Sequence, residues 1–161
     1  MVALASDAAL YALEFTGPGR QHRLDARMRR WFPEHTIDDG DVPVIALTRG
    51  WLTRYFDGVS ADIAPLPLEM HGAPFEQRVW EALRQIPPGS TCSYGSIAKA
   101  LGSAGAARAV GMANGANPIA IIVPCHRVIG SNGTLTGYGG GLDRKTWLLN
   151  HEARWRTDRL F

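Results

Sequence analysis

Apolar residues alternate in short stretches near the start of the chain and recur every three to four positions through most of its second half. Val2–Leu4 and Tyr11–Phe15 alternate loosely on either side of Ser6-Asp7, which predicts a β-hairpin. Gly17-Pro18-Gly19 marks a turn. Arg20–Arg30 mixes arginine with histidine and reads as a solvated helix or an excursion, its basic run a surface rather than a site. Val42–Leu47 is a further strand candidate, and Gly50–Phe56 has the spacing of a packing helix ended by Asp57-Gly58. The proline spacing of Pro65-Leu66-Pro67 predicts an extended linker, and a domain boundary is expected near Met70–Pro74.

The second half reads as mostly helical. Pro74 suits a first helical turn, and Phe75, Val79, Leu83 and Ile86 keep helical spacing until Pro87-Pro88-Gly89 stops them, with Trp80 packing in the core. Ser93 is placed to cap a helix through Ile97, Ala98 and Leu101, with Gly102 as its stop. A second helix follows from Ala106 to about Asn114, then Gly115. Two short helices joined by a glycine-containing turn spell a helix-turn-helix. Ala106, Ala107, Ala109, Gly111 and Ala113 leave the second helix nearly bare, with Arg108 its one charge. So smooth a helix suits either tight packing or close approach to a narrow groove, and it has no side chains with which to read base edges. Asp143 is placed to cap a last helix, Arg144 to about His151, that buries Trp147, Leu148 and Leu149, with Glu152 at its end.

The apolar run Ile119–Val123 predicts a buried strand, closed by Pro124 and followed at once by Cys125-His126-Arg127. A cysteine beside a histidine where core gives way to surface is a candidate nucleophile, since the thiolate is the reactive species and an imidazole can draw off its proton. The bland alternative is a small buried hydrophobe, the commonest fate of a free cysteine. Gly137-Tyr138-Gly139-Gly140-Gly141 forms a loop whose backbone can pass close to a ligand, without the spacing of a phosphate-binding loop.

The chain has 161 residues, enough for one domain or two small ones. No apolar stretch is long enough to span a membrane, and the opening residues lack a basic n-region, so an intracellular, cytoplasmic protein is expected. Two cysteines, Cys92 and Cys125, do not supply a cysteine-rich zinc site, and a reducing compartment argues against a disulfide. Charge is distributed unevenly. Residues 1–80 carry 8 Arg/Lys against 11 Asp/Glu, and residues 81–161 carry 9 against 4. Between Ala82 and Leu142 there is no carboxylate, although Arg84, Lys99, Arg108 and Arg127 are present. A surface that approaches phosphates gains by excluding carboxylates, so nucleic acid is favoured as partner over a merely buried Gly/Ala-rich segment.

Phe75-Glu76-Gln77-Arg78-Val79-Trp80, Ser93-Tyr94-Gly95, Ala106–Gly111, Ala116-Asn117-Pro118, Pro124–Gly130, Gly137-Tyr138 and Lys145–Glu152 stand in a familiar order and spacing. Over roughly residues 74–152 they closely resemble the O6-alkylguanine-DNA alkyltransferases, also called methylated-DNA–protein-cysteine methyltransferases. The resemblance implies an α/β (α+β) fold. A small N-terminal ribonuclease-H-like antiparallel sheet with a helix would occupy residues 1–70. A mostly helical DNA-binding and alkyl-acceptor domain, with the helix-turn-helix, would occupy residues 71–161.

It also implies roles. Cys125 would accept the alkyl group, His126 would activate it through a bridging water, and Glu152 would orient the histidine. Asn117 would tie the helix-turn-helix to the cysteine loop. Tyr94 would help extrude the damaged nucleotide and donate to N3 of guanine, while Arg108 would fill its place in the base stack. Ala106, Ala107, Ala109 and Gly111 would lie against the minor groove. The carbonyls of Cys125 and Val128 would accept from the guanine amino group. Tyr138, Gly139 and Gly140 would line the substrate pocket, the Gly139 amide donating to O6. The partner would be double-stranded DNA containing O6-alkylguanine, met by a monomer that clusters along DNA, with no cofactor or metal. Some relatives carry serine at the position of Gly139, and the zinc-binding cysteines of some N-terminal domains have no counterpart here. The chain begins within what reads as the first strand, so an abbreviated N-terminal sheet is expected.

Four alternatives remain distinct. A non-catalytic alkyltransferase-like protein would lack the cysteine. A cysteine hydrolase using His126 or His151 would turn over an acyl substrate. A zinc deaminase needs Pro-Cys-x-x-Cys, where this chain has Val128. A purely structural DNA-binding module would tolerate loss of Cys125.

Overall fold

The computed structural model describes residues 1–17, 19–34, 36–59 and 66–157. Pro18 of the expected glycine-proline turn and Pro65 of the expected linker lie outside them. The chain folds as a mixed α/β protein with, among the described residues, six α-helices and two small sheets.

The predicted hairpin forms. Strand β1, Val2–Ala5, pairs antiparallel with β2, Leu10–Glu14, around a turn in which the Ser6 hydroxyl accepts from the Ala8 and Ala9 amides. Strand β2 is buried on both faces. Leu10 and Leu13 enter the main core, whereas Ala12 packs with Leu24 and Met28 of helix α1, Arg20–Trp31. The edge of β2 away from β1 is occupied by later parts of the chain. Leu10 bonds to Pro67 and Glu69, and Leu13 donates to the Pro118 carbonyl at 3.0 Å while accepting from the Ala120 amide at 2.8 Å. The first strands therefore reach the segment that leads into Cys125, across the boundary expected near Met70–Pro74.

Val42–Leu47 is not a strand. It opens helix α2, Pro43–Phe56, with Pro43 in the first turn and Val44, Thr48, Trp51 and Tyr55 turned inward. Their spacing is helical, and Pro43 fits where the backbone amide needs no partner. Helix α3, Pro74–Arg84, buries Val79, Trp80 and Leu83, and the Trp80 indole donates to the Ala113 carbonyl at 2.8 Å. At its start, Glu76 accepts from the Ala73 amide at 2.8 Å, half of a capping box. Strand β3, Cys92–Ser93, leads into helix α4, Tyr94–Ala100, where Ser93 caps the Ser96 amide as expected. Helix α5, Ala107–Gly115, packs on both α3 and α4.

The run Ile119–Val123 is fully buried but makes only isolated bridges, Leu13 to Ile119 and Ala120 to Val123. The chain turns sharply because Ile121 adopts a left-handed backbone with φ of 72°. That conformation costs a β-branched residue on the order of 1–3 kcal/mol and persists only where its surroundings over-determine it. Here Val123 bonds back to Ile119, and Asn117 brackets the turn from the side. A 3-10 turn, Cys125–Arg127, then runs into strand β4, Val128–Ile129, parallel to β3. Helix α6, Leu142–Thr157, extends past the expected end at His151. Its inward face is only partly the expected one: Leu148 is buried as expected and Leu149 half-buried, but Trp147 is not. Trp147 is 52% exposed, while Lys145, Leu148 and Glu152 are buried. A helix cannot turn both 147 and the 145–148–152 row toward one core, and the row that carries the ion pairs below prevails. Among the described residues, no helix is long and apolar enough to cross a membrane.

Candidate active site

Glu152 is the hub of a buried cluster. Its Oε1 accepts from His126 Nε2, Arg127 Nη2 and the Tyr55 hydroxyl, each at 2.8 Å, and its Oε2 accepts from Arg127 Nε at 2.8 Å and the Gly89 amide at 3.0 Å. Arg127 spends its remaining reach on the Ile86 carbonyl, 2.6 Å away. Burial alone would raise the Glu152 carboxyl, but hydrogen bonds from His126 and Arg127 and their charges hold it well below the carboxylate range. The same carboxylate raises the Tyr55 phenol, which burial already keeps neutral.

His126 is wholly buried, and desolvation lowers its pKa despite the pull of Glu152. A neutral imidazole whose Nε2 donates to a carboxylate must leave Nδ1 bare as an acceptor. Nδ1 is buried and has no hydrogen-bond partner among the described residues. With Arg127 balancing Glu152, the cluster is electrically neutral and has room for one more proton.

Cys125 sits at the start of the same turn, only 7% exposed, and burial pushes its thiol up to about 11 in spite of a hydrogen bond with Asn117 and the charge of Lys145. The expected lowering of the thiol by its histidine neighbour is thus absent in the resting protein, because His126 is neutral and turned to Glu152. Asn117 also donates to the Val123 carbonyl at 2.8 Å and accepts from the Ile119 amide at 3.0 Å, so one side chain holds both ends of the turn before the cysteine.

Tyr94, Ala107, Arg108, Gly111, Tyr138 and Gly139 come together around a cleft of about 670 Å³. Met112, 72% exposed on α5, also lines it. Arg108 is exposed there and Gly111 lies against the Tyr94 ring. Ala106, just before α5, and Ala109 on it flank the cleft residues without lining the cleft, and neither Cys125 nor Val128 is on its wall. Tyr94 is close enough to Cys125 for a thiolate there to raise its phenol further, beyond the effect of its own burial. A separate cavity of about 490 Å³ between β1, α1 and Thr36–Ile45 contains none of these residues.

Gly140 is buried under Tyr138 and does not line the cleft; a Cβ at this position would overlap the Tyr138 ring. The loop that carries them is held from two sides. Tyr94 donates to the Thr136 carbonyl at 3.2 Å, and buried Lys145 donates to the carbonyls of Thr136 at 3.0 Å and Val128 at 2.6 Å.

Five participants escape sequence reasoning: Tyr55, Gly89, Asn114, Arg127 and Lys145. Asn114 donates to the Cys125 carbonyl at 3.3 Å from helix α5. Lys145 could have been found from its i, i+3, i+7 relation to Leu148 and Glu152. The partners of Arg127 are remote in sequence and leave no local signal.

Residues 74–154 match the family described as 6-O-methylguanine DNA methyltransferase, DNA binding domain. The methylated-DNA–protein-cysteine methyltransferase of Salmonella typhimurium is 53% identical over 131 residues, 79% of this chain and 77% of that protein. The corresponding protein of Mycolicibacterium paratuberculosis is 59% identical over 103 residues, 64% of this chain and 62% of its own. The crystal structure of Mycobacterium tuberculosis OGT in complex with DNA superposes with a TM-score of 0.81 at 42% identity, covering 95% of this chain and 86% of that one. A buried cysteine, a neutral histidine held by a carboxylate and these likenesses converge: the chain belongs to the methylated-DNA–protein-cysteine methyltransferase family, which repairs DNA by direct reversal.

Proposed function

We propose that this protein repairs double-stranded DNA by moving the alkyl group of O6-alkylguanine, once and irreversibly, onto the sulfur of Cys125. The bare Nδ1 of His126, backed by the Glu152 and Arg127 pair, carries this reading: it is an acceptor on the residue that follows a thiol that must lose a proton. A water between Cys125 and His126 would relay that proton. The thiolate then attacks the alkyl carbon in line. A carbon–sulfur bond forms, the bond from carbon to O6 breaks, and guanine leaves with the proton the thiol gave up. A donor at N3 from Tyr94 and one at O6 from the Gly139 amide make guanine a better leaving group. The imidazolium formed in passing is held by Glu152, which offsets part of the cost of charging a buried ring. No step regenerates the thiol from a thioether, and neither metal nor soluble cofactor enters the reaction.

The base must leave the helix to reach the sulfur, at a cost of about a few kcal/mol. Helices α4 and α5 act as a helix-turn-helix whose second member, smooth along Ala106, Ala107, Ala109 and Gly111, enters the minor groove. Arg108 fills the gap in the base stack, and Tyr94 guides the extruded nucleotide. The carbonyls of Cys125 and Val128 accept from the guanine amino group; a carbonyl has two lone pairs, so the bonds from Asn114 and Lys145 do not prevent this. Tyr138 and Gly139 line the pocket and Gly140 seats the tyrosine. Residues 1–70 form a ribonuclease-H-like unit and residues 71–161 the DNA-binding and alkyl-acceptor unit. The protein works in the cytoplasm as a monomer that clusters on DNA.

The test is an intact-mass measurement after incubation with a duplex carrying O6-methylguanine. One methyl group should appear on the Cys125 peptide, saturate at one per protein and vanish in Cys125→Ser. Repeated turnover, or a restored base beside unmodified protein, would contradict the proposal.

A further inference from the structure

Phe15, the residue after β2, packs edge-on against the Tyr138 ring with centroids 6.5 Å apart. The Arg144 guanidinium lies 5.0 Å over the Phe15 ring and also donates to the Gly140 carbonyl at 2.9 Å. The floor beneath Tyr138 is Gly140, where no side chain fits. Tyr138 is thus held between Gly140 and a ring from the other end of the chain, and Arg144 joins that ring to the loop backbone. Phe15 itself is held in place, because Leu13 two residues earlier is bonded to Pro118 and Ala120 in the segment before the cysteine. Strand β2 and the cysteine segment are one hydrogen-bonded unit from which Phe15 projects onto the loop.

We propose that Phe15 is a specificity-determining positioning residue: by seating Tyr138 it shapes the wall against which the alkyl group rests, so the N-terminal strand selects the alkyl group. This rests on the reading of Cys125 as alkyl acceptor and Tyr138 as pocket wall. A methyl group is too small to depend on how that wall is held; its transfer is governed by the approach of the sulfur. A flat benzyl group needs an aromatic surface in a fixed orientation, and loses contact when the ring is free to swing.

The experiment compares second-order transfer rates from two duplexes of one sequence, carrying O6-methylguanine or O6-benzylguanine. Phe15→Ala should lower the benzyl-to-methyl ratio by about three- to tenfold, the range that the loss of one aromatic pair allows. Phe15→Tyr should restore most of it. Arg144→Gln should shift the ratio the same way, and the double variant should shift it no further than Phe15→Ala alone. Since Arg144 is exposed, that variant decides the matter even if Phe15→Ala fails to fold. Equal losses on both substrates, or a ratio moved toward benzyl, would overturn the proposal. Absence of any transfer by the unaltered protein would overturn the repair reading itself.

Discussion

Arg127 and Glu152 meet through two parallel hydrogen bonds, Nε to Oε2 and Nη2 to Oε1, each 2.8 Å long, with both side chains buried. The residues are neighbours of different kinds in the chain, one beside the cysteine and one in the last helix. The pair therefore fastens helix α6 to the cysteine turn, and the third arginine nitrogen fastens both to the end of α3 through Ile86. Because His126 shares Oε1, the bond that builds the fold also fixes the histidine tautomer.

Removing one member of such a pair strands the other charge in a medium that cannot solvate it. Arg127→Ala is expected to cost about 3–5 kcal/mol of stability. Urea denaturation followed by far-ultraviolet circular dichroism measures this. A loss below about 1 kcal/mol would show that water reaches Glu152 once the arginine is gone.

The lowered carboxyl of Glu152 sets the direction of the acid response. Its folded pKa lies below the ordinary value of 4.5, so the unfolded chain binds this proton first as pH falls. The stability it contributes is complete above that ordinary value and drains away as pH drops below it. Glu152→Gln should start less stable at neutral pH but lose less stability between neutrality and strongly acid pH. Parallel curves for the two proteins would mean that other carboxylates govern acid unfolding.

For Cys125 the sign is opposite. Its thiol is raised to about 11, so the resting protein at neutral pH holds a thiol, not a thiolate. Iodoacetamide should modify Cys125 slowly at neutral pH, with a rate that climbs steadily with pH toward that value. Transfer from alkylated duplex should rise far less steeply if the proposed His126 relay takes the proton internally. A modification rate already flat at mildly alkaline pH would show a thiolate in the free protein.

What the sequence reveals of the site is its local part. Cys125-His126, the Ser93 cap and the bare helix of Ala106–Gly111 declare themselves because each depends on near neighbours. The reading fails where tertiary partners decide. Val42–Leu47 has the apolar density of a strand, yet Thr48 is the inward residue that completes a helical face, its hydroxyl returned to the Val44 carbonyl at 2.7 Å. Ile119–Val123 has strand composition, but Asn117 and the edge of β2 bend it into a turn. Trp147 looks like core and is half exposed, whereas Lys145 looks like surface and is fully buried. In both cases a remote hydrogen-bond partner outweighs hydrophobicity.

Lys145 ties the segment that leads into the glycine-containing loop to helix α6. Burial lowers its ammonium pKa, and its bonds go to main-chain oxygens of Val128 in β4 and of Thr136, the residue just before Gly137. Hydrogen bonds from a charged donor contribute about 1.5–3 kcal/mol each, so Lys145→Met should release the loop and slow transfer by about tenfold or more. Affinity for unmodified duplex, measured by fluorescence anisotropy at fixed salt, should change little. Equal losses in binding and transfer would mean that the lysine supports the whole domain and not the loop.

Arg108 separates the two halves of the mechanism. It is exposed on helix α5 at the cleft and no part of the buried proton relay. The proposed filling role confines its task to duplex DNA, where a flipped nucleotide leaves a gap in the stack that costs about a few kcal/mol until something fills it. A free alkylguanine base has no stack to leave. Arg108→Ala should therefore slow repair of O6-methylguanine in duplex by about a hundredfold, the rate equivalent of roughly 2.7 kcal/mol, while transfer from free O6-benzylguanine falls by no more than about twofold. The two rates are read by intact mass on the same protein preparation, so a folding defect would lower both together. That equal loss would remove Arg108 from base extrusion and leave it only a phosphate contact or a support of the helix.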